Sequence, residues 1–167
     1  DEARHGISAY EMLKNKQFLV NTYLGKPDYW NVKPPLSFLS VAAGFVLCGY
    51  NAVGLRFFSA LFYLLTVIFT GLFARKYSRL ASLLTMVFLC ANYLPFKAHL
   101  ARAGDADSLY LLLFTLSMLC MLKVHDNGRW LYACGLFFSL AFLTKSFHAG
   151  MIAAVGGLFL LLTKELF

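Results

Sequence analysis

Charged residues are scarce in this chain of 167 residues. Asp, Glu, Lys and Arg together make up 14% of it, whereas about 25% is usual for a soluble domain. Hydrophobic residues account for 60%. A soluble protein of this length cannot bury so much apolar surface and still cover itself with polar groups. The composition therefore excludes an ordinary soluble domain and indicates an integral membrane protein.

Several motifs of soluble enzymes are also missing. The sequence contains no glycine-rich phosphate loop, dinucleotide-binding fingerprint, zinc-ligand spacing or nucleophile elbow, and no internal repeat. The four cysteines all lie inside apolar segments, where cysteine packs as a small hydrophobe, so we expect no disulfide framework. The formal net charge is +7, but the basic residues are scattered along the chain. This scatter favours anionic lipid, and not nucleic acid, as the partner.

The hydrophobic runs predict an all-α, polytopic transmembrane bundle. Residues 55–74, 80–96, 108–122, 130–143 and 149–163 form five apolar runs, and a bilayer crossing needs about 20 such residues. Residues 1–54 are predicted to form a non-cytoplasmic loop with juxtamembrane helices. Within it, 1–16 have amphipathic helical spacing and 36–48 are too short to cross comfortably. Because the chain opens on polar residues and stops at the edge of a span, we expect 55–167 to be part of a longer membrane domain.

The basic loop 75–79 sets the predicted orientation. It contains three Lys or Arg residues and no acid, and positively charged short loops favour the cytoplasmic side. With five crossings, residues 1–33, the loop 97–107 and the turn 145–148 share the opposite side. We therefore expect a protein of the plasma or inner membrane whose chemically interesting residues face away from the cytoplasm.

Two polar groups on that predicted face contain carboxylates. Adjacent Asp1 and Glu2 fit a general base or a cation site, or simply the solvated start of a helix. Asp105 and Asp107 are costly at a membrane edge and fit a base, a ligand for a sugar hydroxyl or a metal ligand. The alternative is an ordinary loop whose acids pair with Arg102 and cap the next helix.

Two lysines on the same face are candidate phosphate ligands. Lys33 precedes two prolines that stiffen the backbone, and Lys145 ends a span. Fixed ammonium groups suit a lipid phosphate, and these two could share one. The alternatives are an interfacial anchor with a snorkelling side chain for Lys33, and a lysine that offsets the helix dipole for Lys145.

Four short motifs, taken in order, resemble the first half of the GT-C membrane glycosyltransferases. They are DEAR at 1–4, KPP at 33–35, AR at 101–102 followed by an acid at 107, and LTK at 143–145. The chain looks most like the branch that holds the protein O-mannosyltransferases (glycosyltransferase family 39) and the lipid A aminoarabinose transferases. The resemblance implies transfer of a sugar from a polyprenyl-phosphate carrier to an acceptor hydroxyl or lipid phosphate, outside the cytoplasm.

The resemblance also implies roles for individual residues. Asp1 matches an acid proposed as base or acceptor-binding carboxylate, and Asp107 matches the acidic position of the second outer loop. Lys33 matches a lysine that approaches the carrier phosphate, and Lys145 matches a lysine at a later outer turn. We predict Asp1 and Asp107 as catalytic residues and Glu2, Lys33, Arg102, Asp105 and Lys145 as substrate-binding residues.

No metal site is carried over from the resemblance. Aminoarabinose transferases commonly have a metal-binding glutamate before the Lys-Pro motif, and this chain has Val32 there. No cofactor is therefore predicted, and a divalent metal is unsupported by the sequence.

Two other functions stay open from the sequence. A transporter or channel half would have inverted repeats and ionisable residues near the middle of its spans, and these spans have almost none. A non-catalytic polyprenyl-phosphate-binding subunit would keep the two lysines but would not need the carboxylates. We predict a membrane glycosyltransferase that uses a polyprenyl-phosphate sugar as donor and a protein or lipid as acceptor.

Overall fold

The apolar runs fold into helices, since a helix satisfies its own backbone hydrogen bonds where lipid offers none. A computed structural model describes residues 2–29, 31, 33–97 and 100–163. Within these residues the helices are α1 (Glu2–Asn15), α2 (Pro35–Cys48), α3 (Ala52–Ala74), α4 (Arg79–Ala91), α5 (Leu94–Lys97), α6 (Asp107–Met121), α7 (Trp130–Lys145) and α8 (Gly150–Leu162). The predicted all-α class is confirmed.

Three helical stretches are long and apolar enough to cross a membrane: Ala52–Ala74, Arg79–Lys97 and Trp130–Leu162. The helices α2 and α6 are also apolar but have only 14 and 15 residues. The protein is therefore an integral membrane protein with a helical bundle, as predicted. The number of five crossings stays a prediction.

The longest of these stretches contains a chain reversal. A 3-10 turn over Ser146–Ala149 separates α7 from α8, and Ser146 has a φ of +46°, in the left-handed region. Phe159 and Leu160, near the end of α8, pack against a buried cluster that includes Cys134, near the start of α7. The two helices therefore run in opposite directions, and the reversal falls between the two apolar runs that the sequence shows.

Helix α2 lies close against the beginning of α3. Pro35 occupies the first turn of α2, and Gly49, with a φ of +82°, follows its last residue. Asn51 then starts α3, because its side chain accepts hydrogen bonds from the N–H groups of the next turn. A Cβ on Gly44 would lie 2.1 Å from the carbonyl oxygen of Gly54, so only glycine permits this approach.

The amphipathic helix α1 packs on α2. Its buried positions His5, Ser8, Ala9 and Met12 follow helical spacing, and Ala9 contacts a cluster on α2 that includes Phe45. A hairpin of strands β1 (Thr22–Tyr23) and β2 (Lys26–Pro27) follows and was not predicted. Strands of two residues are too short to show an alternating pattern in the sequence.

The bundle has two chemically different ends. We call one the Lys33 end, formed by the start of α1, residues 31 and 33–34, the start of α3, residues 100–107 and the end of α7. Gly104 packs there closely against Leu55. A Cβ on residue 104 would lie 2.6 Å from the Leu55 carbonyl oxygen, so this approach requires glycine. The other, the Lys76 end, is formed by residues 75–79 and 122–130. The ion pairs described next all lie at the Lys33 end.

Candidate functional site

A buried ion pair joins Lys33 to Asp105. The Lys33 Nζ donates to Asp105 Oδ1 across 2.9 Å, and the two side chains are 24% and 3% exposed. The N–H of Ala106 donates to the same oxygen at 2.7 Å. Pro34 and the start of α2 fix the position of Lys33, as its sequence predicts.

Asp105 is ionised despite its burial. Burial alone raises the pKa of this carboxyl, because it penalises the charged form. The hydrogen bond from Lys33, the nearby ring of His5 and the N–H of Ala106 outweigh that effect together. The pKa of Asp105 therefore lies below its ordinary value, and the carboxylate holds the Lys33 ammonium in place.

His5 forms one wall of this site. Its Nε2 lies 3.4 Å from Asp105 Oδ1, and its ring stacks on Phe38 with a centroid distance of 4.5 Å and an interplanar angle of 11°. Burial lowers the pKa of His5 to about 4, while the negative charge of Asp105 opposes the shift and the positive charge of Lys33 adds to it. The ring is therefore neutral at pH 7.

Glu2 ties three segments together. Arg56 of α3 donates to both its carboxylate oxygens, from Nε to Oε1 at 2.6 Å and from Nη2 to Oε2 at 2.9 Å. The backbone N–H of Gly104 donates to the same Oε1 at 3.1 Å. The start of α1 is thus fixed to α3 and to the loop before α6.

A second lysine–aspartate pair joins Lys145 to Asp107, which is two residues after Asp105 in the chain. Lys145, the last residue of α7, places its Nζ 2.6 Å from Oδ1 of Asp107, the first residue of α6. The side chains are 22% and 31% exposed. Its ammonium also lies 5.8 Å from the ring centroid of Tyr110. The negative charge of Asp107 also opposes the lowering of the pKa of His5, although it is the smallest of the contributions.

The structure therefore brings together five of the seven predicted site residues: Glu2, Lys33, Asp105, Asp107 and Lys145. Arg102 is exposed, and no ion pair links it to an acid of the described chain. The alternative of an ordinary loop, in which Asp105 and Asp107 pair with Arg102, is wrong about the partner. Both acids pair with lysines that are distant in the sequence, Lys33 and Lys145. Asp1, predicted as catalytic, lies outside the described residues, as does Val32. The functional roles of all seven stay predictions.

Two residues at this end, His5 and Arg56, are not among the seven predicted site residues. His5 lies one helical turn after Glu2, so helical spacing on α1 was a signal that both face the same side. Arg56 is an isolated charge at the start of an apolar span. Its partner Glu2 is 54 residues away, so no local sequence pattern could identify the pair.

The described side chains at this end are not arranged as metal ligands. Within residues 2–29, 31, 33–97 and 100–163, no three His, Cys, Asp or Glu side chains come together as metal ligands would. The carboxylates of Glu2, Asp105 and Asp107 each face a cationic side chain instead. The predicted absence of a cofactor stays a prediction.

Comparison with known proteins identifies the family. The model of the dolichyl-phosphate-mannose-protein mannosyltransferases matches residues 32–167. The chain belongs to this family. An uncharacterized protein of Aquifex aeolicus (strain VF5) is 32% identical over 165 residues, which are 95% of this chain and 32% of the relative.

A solved structure shares the mannosyltransferase-family fold of this chain. It is ArnT from Cupriavidus metallidurans in the apo state, with a TM-score of 0.85 and 22% identity. The match covers 98% of this chain and 32% of ArnT. The GT-C resemblance drawn from the four motifs is thereby confirmed. The chain spans about a third of the length of both relatives.

Proposed function

We propose that the protein containing this chain transfers a sugar from a polyprenyl-phosphate carrier to a hydroxyl of a protein or lipid acceptor. The reaction takes place on the non-cytoplasmic side of a plasma or inner membrane. Membership of the mannosyltransferase family supports a membrane glycosyltransferase. The observation that supports the site most is the convergence of two lysine–aspartate pairs, Lys33 with Asp105 and Lys145 with Asp107, at one end of the bundle.

The two lysines bind the carrier phosphate in this proposal. An ammonium group has three N–H donors, so it can hold a carboxylate and a phosphate oxygen together. Lys33 is 24% exposed and Lys145 is 22% exposed, so a ligand at the surface can reach both. Negative charge grows on the phosphate as the glycosidic bond breaks, and positioned cations stabilise that charge.

The carboxylates divide into a supporting and a reacting group. Asp105 is too enclosed to meet an acceptor and supports Lys33. Asp107 is 31% exposed and competes with Asp1 for the role of base. The acceptor oxygen attacks the anomeric carbon, and its proton passes to the carboxylate. The bond between the anomeric carbon and the phosphate oxygen breaks, and its electron pair stays on that oxygen.

An apolar groove beside the lysines suits the isoprenoid tail. It has a volume of about 340 Å³ and lies between α2, α3, α6 and α7, with Leu36, Phe58, Phe62 and Leu109 among its lining residues. Leu36 lies three residues after Lys33. A chain seated in the groove would therefore place its phosphate end near the two lysines.

Transfer assays with the full-length protein in liposomes test the proposal. Asp107→Asn keeps the size of the side chain but removes the base, so we expect it to retain carrier binding and to lose about 100- to 10,000-fold in turnover if Asp107 is the base. Lys33→Ala and Lys145→Gln should weaken carrier binding. Lys26→Gln is the matched control, because this exposed lysine of β2 makes no ion pair with the described residues.

Three outcomes distinguish the alternatives. If Asp107→Asn transfers normally and Asp1→Asn does not, the base is Asp1. If both aspartate variants and Lys33→Ala transfer normally, the proposed site is wrong. If the wild-type protein binds the carrier but catalyses no transfer to any protein or lipid acceptor, it is a non-catalytic binder and the enzyme proposal fails.

A further inference from the structure

A separate apolar groove lies at the Lys76 end of the bundle. Its volume is about 500 Å³, and α3, α6 and α7 form its walls. The apolar lining includes Phe69, Leu72, Leu116, Leu119, Trp130 and Phe137. Arg56 and Lys76 are 20 residues apart along α3 and the residues after it, so this groove is roughly 30 Å from the candidate active site.

Two lysines stand at the mouth of this groove. Lys76 follows the end of α3, and its Nζ lies 4.1 Å from the ring centroid of Phe73. Lys123 follows the end of α6, and its Nζ lies 4.7 Å from the ring of Trp130. Both side chains are exposed, and neither makes an ion pair with an acid in the described part of the chain.

The charge around the mouth is strongly positive. The loop 75–79 adds Arg75 and Arg79 and contains no acid, and the loop 122–129 adds Arg129. The single acid in these two loops is Asp126, and it forms no ion pair among the residues that the structure describes. An anionic ligand is therefore attracted to this end, where the hydrocarbon of the bilayer meets its headgroups.

We infer that this groove binds one acyl chain of an anionic phospholipid, whose phosphate lies between Lys76 and Lys123. The groove offers an apolar channel lined by α3, α6 and α7, and two lysines, Lys76 and Lys123, belong to its lining. A second occupant of similar shape would be an apolar helix of the same protein. Such a helix would leave both ammonium groups facing an apolar surface, so charge complementarity favours the lipid.

Native mass spectrometry of the full-length protein tests this inference. The delipidated protein is titrated with phosphatidylglycerol and phosphatidylcholine of the same chain length. We expect the wild type to retain phosphatidylglycerol at least about ten-fold better and Lys76→Gln/Lys123→Gln to lose that preference. The control Lys14→Gln/Lys26→Gln removes two exposed lysines, in α1 and β2, that do not line the groove, and it should keep the preference. Equal binding of both lipids by the wild type, or an unchanged preference in the groove variant, would overturn the inference.

Two further measurements identify the occupant. A benzophenone side chain at Phe137 should crosslink to lipid in native membranes, and a crosslink to another segment of the protein overturns the lipid assignment. Excess phosphatidylglycerol should displace the bound lipid. Displacement by polyprenyl phosphate but not by phosphatidylglycerol would show a second carrier site instead, and would also overturn it.

Discussion

Removal of Lys33 should destabilise the protein more than removal of Asp105, although the two form one ion pair. Lys33→Met leaves the Asp105 carboxylate, 3% exposed, without its ammonium partner, and breaking a buried pair from one side costs about 3–5 kcal/mol. Asp105→Asn keeps an acceptor for the Ala106 N–H and lets Lys33, 24% exposed, turn toward water. Its cost is one charged hydrogen bond, about 1.5–3 kcal/mol.

The stability difference between Lys33→Met and the wild type should also depend on pH, in a direction that follows from the pKa of Asp105. The pKa of Asp105 is lowered in the folded protein, so the pair stabilises it above the unfolded pKa and this contribution is lost as the pH falls through the folded pKa. In Lys33→Met, burial raises the pKa of Asp105 with less to oppose it. Protonation of Asp105 then relieves the buried charge, so the difference in unfolding free energy between Lys33→Met and the wild type should become smaller as the pH is lowered.

Free energies of unfolding in SDS, measured on the full-length protein in micelles, provide the assay. A double-mutant cycle with Lys33→Met and Asp105→Asn should give a coupling energy of about 1–3 kcal/mol. Lys26→Met removes an exposed lysine and should change the stability by less than about 0.5 kcal/mol. Equal losses for the two single variants, or a coupling energy near zero, would refute the reasoning.

Three further predictions concern packing, titration and capping. Gly44→Ala should cost about 1–3 kcal/mol in SDS unfolding because its Cβ meets the Gly54 carbonyl, whereas Gly135→Ala faces open space and should be neutral. Thermal melts should show the wild type losing stability from about pH 6.5 to about pH 4, since the unfolded state protonates His5 first. His5→Phe should flatten that slope, and an unchanged slope would contradict the assignment. Asn51→Ala removes the cap of α3 and should cost about 1 kcal/mol in the same unfolding assay.

The helices were largely predictable from the sequence. Their ends were most predictable where a proline or a glycine marks them. The predicted run 36–48 becomes α2 at Pro35–Cys48, because prolines precede it and Gly49 follows it. The run 108–122 becomes α6 at Asp107–Met121. The predicted run 80–96 is interrupted after Ala91, where Asn92 leaves the helical conformation before α5 begins. Hydropathy shows where a run is apolar, but it does not show such a break.

The pairing within the candidate site was much less predictable. Alternation of spans placed Lys33, Asp105, Asp107 and Lys145 on one side of the membrane, and the structure brings all four to one end of the bundle. The choice of partner depends on how the helices pack, and sequence proximity suggested Arg102 instead. Lys33 and Asp105 are 72 residues apart, so no local pattern could join them.

The separation of Lys33 and Asp105 along the chain also bears on how the protein is made. Synthesis proceeds at about 5–20 residues per second, so the 72 residues between them take roughly 4–14 s to emerge. During that interval Lys33 has been synthesised and Asp105 does not yet exist. The loop that carries Lys33 therefore gains this buried ion pair only after α3 and α4 have been synthesised. The completion of the Lys33 end is thus a late event in the synthesis of this chain.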